Sequence, residues 1–159
     1  MRYHKDEPLY LTVHVDDMLL ASPSDSARLW FEQDMEIQFE ISKQCNELSY
    51  LGMTIKKSKD GISVHQKGYI DNMVSKFKAD PDSKTTSPTS TDFLNIEEKD
   101  EKIEVTKYLG IVMSLMFLAR FTRADILMPV TYLATKSADP RQKDYNKAIK
   151  ILNYVVFTK

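Results

Sequence analysis

A polar segment near the middle of the sequence limits how this chain of 159 residues can fold. Residues 79–102 are rich in proline, serine and threonine, and they end in a charged run over residues 97–101. Because such a composition cannot build a hydrophobic core, it predicts a linker. The linker divides the chain into a mixed α/β part over residues 1–78 and a helical part over residues 103–159. The expected fold class is therefore α+β.

The composition of the whole chain is that of an ordinary folded protein, with 42% hydrophobic and 28% charged residues. The formal net charge of −1 excludes a global basic field as the main attraction for nucleic acid. The single cysteine, Cys45, excludes an internal disulfide framework and a multi-cysteine zinc site. The longest near-continuous apolar run, residues 109–119, is too short to span a membrane, and the amino terminus has no signal-peptide core. We expect a soluble intracellular protein of the cytoplasm or nucleus, without a membrane partner.

The first part opens with a strict alternation of apolar and polar side chains. Residues 9–15 carry leucine or valine at every odd position, which predicts a strand whose apolar side chains face a core. Asp16 and Asp17 interrupt the alternation, and residues 18–21 are apolar again. The pattern predicts a β-hairpin with the two carboxylates in its turn. Asp-Asp is not a favoured hairpin turn, and local rules are broken most often at functional sites.

The other elements follow from periodicity and from turn signals. A helix is expected after an N-cap at Ser22 or Ser24. Strand-like segments follow at residues 38–43, 48–57 and 62–65. A short helix then carries apolar side chains at helical spacing, at residues 69, 70, 73, 74 and 77. The second part predicts three helices, over residues 105–121, 124–136 and 141–156. Pro129 predicts a kink or a late start in the second of these helices.

Two adjacent carboxylates at a hairpin tip suit a divalent cation. Mg²⁺ takes one or two protein carboxylates together with waters and substrate phosphates. Polymerases hold two such ions, which assist the attacking and the leaving oxygens. Taken alone, the Asp16–Asp17 pair is more simply explained as a solvated turn, because acidic turns are common.

The ordered motifs of the whole chain resemble the copia-type reverse transcriptase of long-terminal-repeat retrotransposons. His14-Val15-Asp16-Asp17 matches the family's Tyr-Val-Asp-Asp hairpin except at its first position. Further blocks that resemble the family in the same order are residues 50–55 (Tyr-Leu-Gly-Met-Thr-Ile), 66–70 (Gln-Lys-Gly-Tyr-Ile), 108–119, 122–126 (Thr-Arg-Ala-Asp-Ile) and 148–154. Met113 departs from the pattern, since it stands where the family has a glycine, and this departure puts close helix packing there in doubt.

This resemblance implies a fold and a chemistry. Residues 1–78 would form a partial polymerase palm, with a small antiparallel sheet, and the start of the thumb. Residues 103–159 would form the thumb and connection. The implied reaction is RNA-directed DNA synthesis, a nucleotidyl transfer by the two-metal mechanism with Mg²⁺ or Mn²⁺. Asp16 and Asp17 would be the catalytic metal ligands, and the partners would be an RNA or DNA template-primer and deoxynucleoside triphosphates.

The resemblance also implies contacts with nucleic acid on both sides of the linker. The expected contact residues are His14, the primer-gripping segment of Leu51, Gly52 and Met53, and the thumb lysines Lys67, Lys76 and Lys78. Lysines in such positions bind phosphate oxygens. An ordinary solvated helix face is the alternative explanation for these lysines.

The family's first catalytic aspartate and its fingers precede the Asp-Asp hairpin, and this sequence begins just before that hairpin. Because a two-metal site needs a further carboxylate, we expect the chain to be an inactive fragment unless a missing polymerase fragment or a homodimer completes it. Whether the chain is itself an enzyme stays open at this point. The alternative is a noncatalytic nucleic-acid-binding or protein-interaction remnant. Because the palm sheet of the family continues into strands that this sequence lacks, we expect the strand over residues 9–15 to present an unpaired edge, which favours dimerisation or aggregation.

Overall fold

The computed structural model describes residues 2–4, 7–95 and 100–159. These residues form six strands, five α-helices and one short 3₁₀ helix, which confirms the α+β class. In chain order the elements are β1 (Arg2–His4), β2 (Glu7–His14), β3 (Asp17–Ala21), α1 (Asp25–Gln38), β4 (Glu47–Tyr50), β5 (Met53–Ser58), β6 (Gly61–His65), α2 (Lys67–Phe77), α3 (Val105–Phe121), the 3₁₀ helix (Ala124–Ile126), α4 (Leu127–Ala134) and α5 (Gln142–Phe157).

The chain divides into a first unit, residues 1–63, and a second unit, residues 64–159. This division differs from the predicted one at residues 79–102. Helix α2 belongs to the second unit because Ile70 and Met73 are buried in the same core as residues of α3 and α5. The segment expected to be a linker also contributes Ala79 and Phe93 to that core. Its composition is polar, but these two side chains anchor it.

In the first unit, β1, β2 and β3 form an antiparallel sheet, and α1 packs on one face of it. The helix begins after Ser24, one of the two predicted N-caps, and the backbone N–H of Ala27 donates to Ser24 Oγ at 3.3 Å. Leu9 is buried against α1, as the alternation predicts, but Leu11 and Val13 are 41% and 58% exposed. Of the apolar side chains expected to face a core, only Leu9 is covered. The hydrophobic cluster with α1 includes Leu9 and does not extend to Leu11 or Val13.

The remaining strands of the first unit include a second hairpin, β4 and β5, and here the predicted strand over residues 48–57 is wrong in one respect. Leu51 and Gly52 form a two-residue turn within it, with φ values of +50° and +72°. Two positive φ values match the twist of a tight hairpin, and glycine adopts them without strain. The strand predicted over residues 38–43 is also wrong. Helix α1 continues to Gln38, and residues 39–46 form neither helix nor strand.

The second unit is built around α3, whose boundaries agree with the sequence prediction. Six of its side chains are buried, and the Tyr108 hydroxyl donates to the Leu133 carbonyl of α4 at 2.7 Å. The next predicted helix starts late, as Pro129 indicated, because a 3₁₀ turn precedes α4. Pro129 lies in the first turn of α4, where a proline's missing N–H costs little. None of the helices in the described residues is long and apolar enough to cross a membrane.

Arg123 joins the 3₁₀ segment to the end of α5. Its Nε and Nη2 atoms donate to the Asp125 carboxylate at 3.0 and 2.8 Å. Its Nη1 donates to the Val155 carbonyl at 3.3 Å, and Nη2 also donates to Thr158 Oγ1 at 2.6 Å. The hydrogen bonds from Arg123 lower the pKa of Asp125, while the same bonds raise the pKa of Arg123. These contacts satisfy a carbonyl in the last turn of α5, where a cation is favoured.

Candidate metal and nucleic-acid site

The two candidate metal ligands lie at the tip of the β2–β3 hairpin. His14 pairs with Asp17, so the two-residue turn consists of Val15 and Asp16. The sequence predicts both aspartates in the turn, which is wrong for Asp17. The pairing of β2 with β3 extends to His14 and Asp17, so only Asp16 lies in the turn. Asp17 begins β3 and faces the same side of the hairpin as His14, since opposed residues of an antiparallel pair share a face.

The turn is strained at the residue that precedes the aspartates. Val15 has a φ of +53°, which is unusual for a β-branched side chain and costs about 1–3 kcal/mol. Tight hairpins of this length need a positive φ at the first turn position and usually supply glycine there. The Val15 side chain is 82% exposed, so it gains little from burial in return. The carboxylate pair therefore directly follows a strained backbone position, at which glycine would adopt the same φ without strain.

Both carboxylates are open to solvent. Asp16, Asp17 and His14 are all exposed, and neither aspartate forms a salt bridge or side-chain hydrogen bond with another described residue. Within the described part of the chain, no group of three or more His, Cys, Asp or Glu side chains is arranged to hold a metal ion. The pair alone offers the one or two carboxylates that a hydrated Mg²⁺ takes from a protein.

The predicted primer-gripping residues lie on the second hairpin of the same unit. Leu51 and Gly52 form its turn and Met53 begins β5. The hydroxyl of Tyr50, the last residue of β4, lies 3.5 Å from Thr12 Oγ1. Thr12 shares a face of β2 with His14, because alternate residues of a strand point the same way. The structure thus connects the two hairpins on the face that carries His14 and Asp17.

The three predicted thumb lysines lie on and beside α2, in the second unit. Lys67 begins the helix, and Lys76 lies in its last turn with its Nζ atom 5.2 Å from the centre of the Phe77 ring. Lys78 is the C-cap and has a φ of +53°. All three are exposed, and none forms a salt bridge with a described residue. Their ammonium groups are free to bind an anion, as the predicted role requires.

The charges are divided unequally between the two units, which the total of −1 conceals. The first unit has 7 basic and 11 acidic residues, 7 − 11 = −4, and the second has 15 and 12, 15 − 12 = +3. This charge asymmetry becomes visible once the boundary between residues 63 and 64 is known. A count of the charges before residue 79 and after residue 102 would have shown most of the difference from the sequence alone.

An aromatic cluster on α2 and α3 was not predicted as functional. The Phe117 ring lies 5.0 Å from the ring of Tyr69 and 5.0 Å from that of Phe121, and Phe121 is 51% exposed. Arg120 is exposed beside it. The sequence did contain a signal for this cluster, because Phe117 and Phe121 are four residues apart on one helix and such residues lie side by side. Exposed aromatic and basic side chains together are typical of surfaces that bind nucleic acid.

Two residues of the matched motifs have a structural role instead. Gln66 is buried, and its Oε1 accepts a hydrogen bond of 2.7 Å from the Thr122 hydroxyl. The bond joins the residue before α2 to the residue after α3, across 56 positions of sequence. It positions α2, and with it the lysines, relative to the helical core.

Comparisons with known proteins include a similarity to a transposon protein. No protein-family model and no solved structure match the sequence. The chain is 28% identical over 160 residues to a putative transposon Ty5-1 protein of Saccharomyces cerevisiae, a match that covers 99% of this chain and 52% of that protein. The chain therefore spans about half the length of this relative, and the similarity extends over nearly all of the chain.

Proposed function

We propose that this chain is the palm and thumb portion of an RNA-directed DNA polymerase of a copia-type retrotransposon. The observation that carries the proposal is the pair of exposed carboxylates at the tip of the β2–β3 hairpin, with Asp16 in the turn and Asp17 opposite His14. The similarity to a transposon protein over nearly the whole chain supports the transposon origin. The order of the sequence motifs supports the assignment to a reverse transcriptase.

In this proposal Asp16 and Asp17 bind Mg²⁺ in the intact polymerase. Bound Mg²⁺ supplies charge stabilisation for the attacking 3′-oxygen and for the leaving pyrophosphate. The exposure of both carboxylates leaves room for water and substrate phosphates beside them. A further carboxylate must join the pair, and within the described residues none is placed to do so. We therefore propose that polymerisation belongs to the assembled enzyme and that this chain alone binds metal without extending a primer.

The second unit would supply phosphate contacts. Lys67, Lys76 and Lys78 are exposed and form no salt bridge with a described residue, and the unit that carries them has a net charge of +3. Phosphate contacts from lysines provide affinity that does not depend on sequence, as a polymerase needs. Leu51, Gly52 and Met53, together with His14, would contact the primer strand near the carboxylates.

A noncatalytic nucleic-acid-binding module is the second candidate function. The exposed Phe121 beside Arg120, in a unit of net positive charge, favours it. In this alternative the aspartates have no metal role. Asp16→Asn would then leave nucleic-acid binding unchanged or tighten it, because a carboxylate that repels phosphate has been neutralised.

The deciding experiment is a titration with Mn²⁺, followed by the electron paramagnetic resonance signal of the free ion. Asp60 provides the matched control, because it is an exposed aspartate in the turn between β5 and β6 of the same unit. We expect Asp16→Asn and Asp17→Asn each to weaken Mn²⁺ binding at least about tenfold, and Asp60→Asn to leave it unchanged. Equal affinity in all three variants would refute the metal role.

Primer extension on poly(A) with oligo(dT) tests the reaction separately. No extension is expected from the chain alone with Mg²⁺ or Mn²⁺. Extension that disappears in Asp16→Asn would support the metal role and would show that the chain, or a dimer of it, already contains the missing carboxylate.

A gel-shift series tests the lysines. Replacing Lys67, Lys76 and Lys78 with alanine should lower the slope of log affinity against log salt by about 0.9 for each lysine that binds a phosphate in the parent chain. The control is the alanine triple variant of Lys56, Lys57 and Lys59, which removes the same charge from the first unit. Equal slopes in the two triple variants would contradict the phosphate-binding role.

A further inference from the structure

One edge of β2 is unpaired over much of its length in the described part of the chain. The pairs His4–Glu7 and His14–Asp17 each flank two intervening residues, so both are hydrogen-bonded pairs. The backbone groups of Glu7 and Leu9 therefore point toward β1, and those of every even residue from 10 to 14 point toward β3. The N–H and C=O groups of Leu11 and Val13 point to the β1 side, where the pairing of β1 ends opposite Leu9.

This edge carries none of the features that usually protect an exposed strand. Residues 10–14 (Tyr-Leu-Thr-Val-His) include no proline, lysine, arginine or carboxylate, and their pairing with β3 has no bulge. Their apolar side chains are also uncovered. Leu11 is 41% exposed, Val13 is 58% exposed, and Met18, which opposes Val13, is 40% exposed.

The exposed edge is complementary to itself. If two copies of residues 10–14 run antiparallel with Thr12 facing Thr12 of the second copy, each Leu11 opposes Val13 of the other copy. Leu11 and Val13 are the residues whose backbone groups are free, so this register forms about four hydrogen bonds and leaves the β3 ladders intact. The five positions lie between the last pair with β1, at Leu9, and the turn at Val15, which is the length that the pairing needs.

We propose that two copies of this chain associate through the β2 edges in this register. The pairing joins the two sheets into one and brings Leu11, Val13 and Met18 of both copies into one apolar surface continuous with the Leu9 clusters. The stretch carries no formal charge, so no direct repulsion opposes it. Asp16 and Asp17 lie outside the paired stretch, so the association does not depend on the metal site. A pairing of five residues per strand is smaller than a standard interface, and the dimer should be weak and concentration-dependent.

Light scattering during gel filtration tests the association with the full chain. We expect the average mass to rise from that of one chain toward twice that value as the loaded concentration increases from roughly 10 to 500 μM, the range of a small interface. A mass that stays at one chain throughout would overturn the proposal. A mass that rises beyond two copies without a plateau would also overturn it, because the proposed pairing is closed by a two-fold axis.

Paired cysteine variants test the register. In a Cys45→Ser background, Thr12→Cys should form a disulfide between two copies, because the Cα atoms of a non-hydrogen-bonded pair are about 4.5 Å apart. Leu11→Cys is the matched control. In the proposed register, residue 11 of one copy and residue 11 of the other lie diagonally across the pairing. Their Cα atoms are therefore farther apart than the roughly 7 Å that a disulfide spans. We expect at least tenfold faster cross-linking of the Thr12→Cys variant in a glutathione buffer, measured on non-reducing gels. Equal rates for the two variants would refute the register.

Substitutions at Val13 separate edge pairing from association through the apolar surface. Val13→Pro removes an N–H that points to the free edge, whereas Val13→Thr keeps that donor and the β-branched shape. We expect the proline variant to be monomeric and the threonine variant to dimerise. Loss of dimer in both variants would indicate association through the apolar surface and would overturn the edge pairing, as would a dimeric proline variant. If the proline variant does not fold, the cysteine pair decides the question.

Discussion

The contacts of Arg123 lead to a prediction about how the second unit is held together. Arg123→Ala removes the hydrogen bonds to the Val155 carbonyl and the Thr158 hydroxyl, together with the paired bonds to Asp125. The Arg123 side chain is only 14% exposed, so its bonds to α5 compete little with water. Charged hydrogen bonds of this kind contribute about 1.5–3 kcal/mol in total when partly buried. The pair with Asp125, which is 41% exposed, adds at most about 1 kcal/mol.

We therefore expect Arg123→Ala to lower the free energy of unfolding of the second unit by about 3 kcal/mol, roughly a hundredfold in the equilibrium constant. Urea unfolding followed by two signals can assign the loss to that unit. Helices α2 to α5 all lie in the second unit, so circular dichroism at 222 nm reports mainly on it. The single tryptophan, Trp30, lies in α1 of the first unit. The dichroism midpoint should fall, and the fluorescence midpoint should not.

Arg120→Ala is the control, because Arg120 is exposed in the last turn of α3 and forms no salt bridge with a described residue. It should change the free energy of unfolding by no more than about 0.5 kcal/mol. If the two variants have the same dichroism midpoint, the contacts of Arg123 do not hold α5 in place and the reasoning is refuted.

The pH dependence gives a second test of the same contacts. Hydrogen bonds from Arg123 lower the pKa of Asp125 below its ordinary value of 3.8. The ionised carboxylate therefore stabilises the folded state above about pH 4, and this contribution disappears as the pH falls through the lower folded-state pKa. Asp125→Asn should cost up to about 1 kcal/mol at pH 7, and the cost should shrink as the pH falls below about 4. A cost that does not change with pH would contradict an electrostatic role for Asp125.

Three further substitutions test local features of the fold by urea unfolding. Tyr108→Phe removes the hydrogen bond to the Leu133 carbonyl and should cost about 1 kcal/mol at pH 7; because burial raises the pKa of Tyr108, the variant should also lose less stability than the parent above pH 10. Gly110→Ala should raise the free energy of unfolding by about 0.5–1 kcal/mol, because the new Cβ meets the Phe77 ring at an ordinary 3.7 Å and the helix interior loses a glycine. Val15→Gly should stabilise the first unit by about 1 kcal/mol, seen in tryptophan fluorescence, because it relieves the positive φ at an exposed position.

Each of these three expectations has an opposite result that would contradict it. An unchanged alkaline sensitivity in Tyr108→Phe would mean that this phenol does not carry the pH effect. A destabilised Gly110→Ala would show that α2 and α3 cannot accommodate one methyl group where they pack together. A destabilised Val15→Gly would mean that the valine side chain stabilises the turn by more than its backbone strain costs.

Local sequence patterns predicted the regular elements of the second unit well. The boundaries of α3 agree with the prediction, those of α5 agree within one residue, and α2 contains the predicted apolar spacing over residues 69–77. These helices carry apolar side chains at helical spacing, and that spacing is a property of neighbouring residues. The structure resolves the doubt about Met113. Its side chain is 56% exposed, so the helix needs no glycine at that position for close packing.

The candidate site was predicted only in part. The adjacent carboxylates and the hairpin were readable because an interruption of strand alternation marks a turn. The turn itself was displaced by one residue, since Val15 has no intrinsic preference for a positive φ. The turn of Leu51 and Gly52 was missed because the apolar residues on both sides read as one strand. In both hairpins the position of the turn depends on which residues of the two strands pair with each other. The sequence of one strand alone does not determine that pairing.

By itself the sequence determined the α+β class, the boundaries of α3, those of α5 to within one residue, an N-cap at Ser22 or Ser24, and the adjacency of Asp16 and Asp17. These features depend on residues within a few positions of one another. The tertiary structure decided that α2 packs with the second unit, that Phe93 of the polar segment enters its core, and that Leu11 and Val13 remain uncovered. It also decided that Gln66 and Thr122 meet across 56 positions of sequence. Burial is decided by which distant surfaces come together, and the hydrophobic effect acts on the area that this packing removes from water.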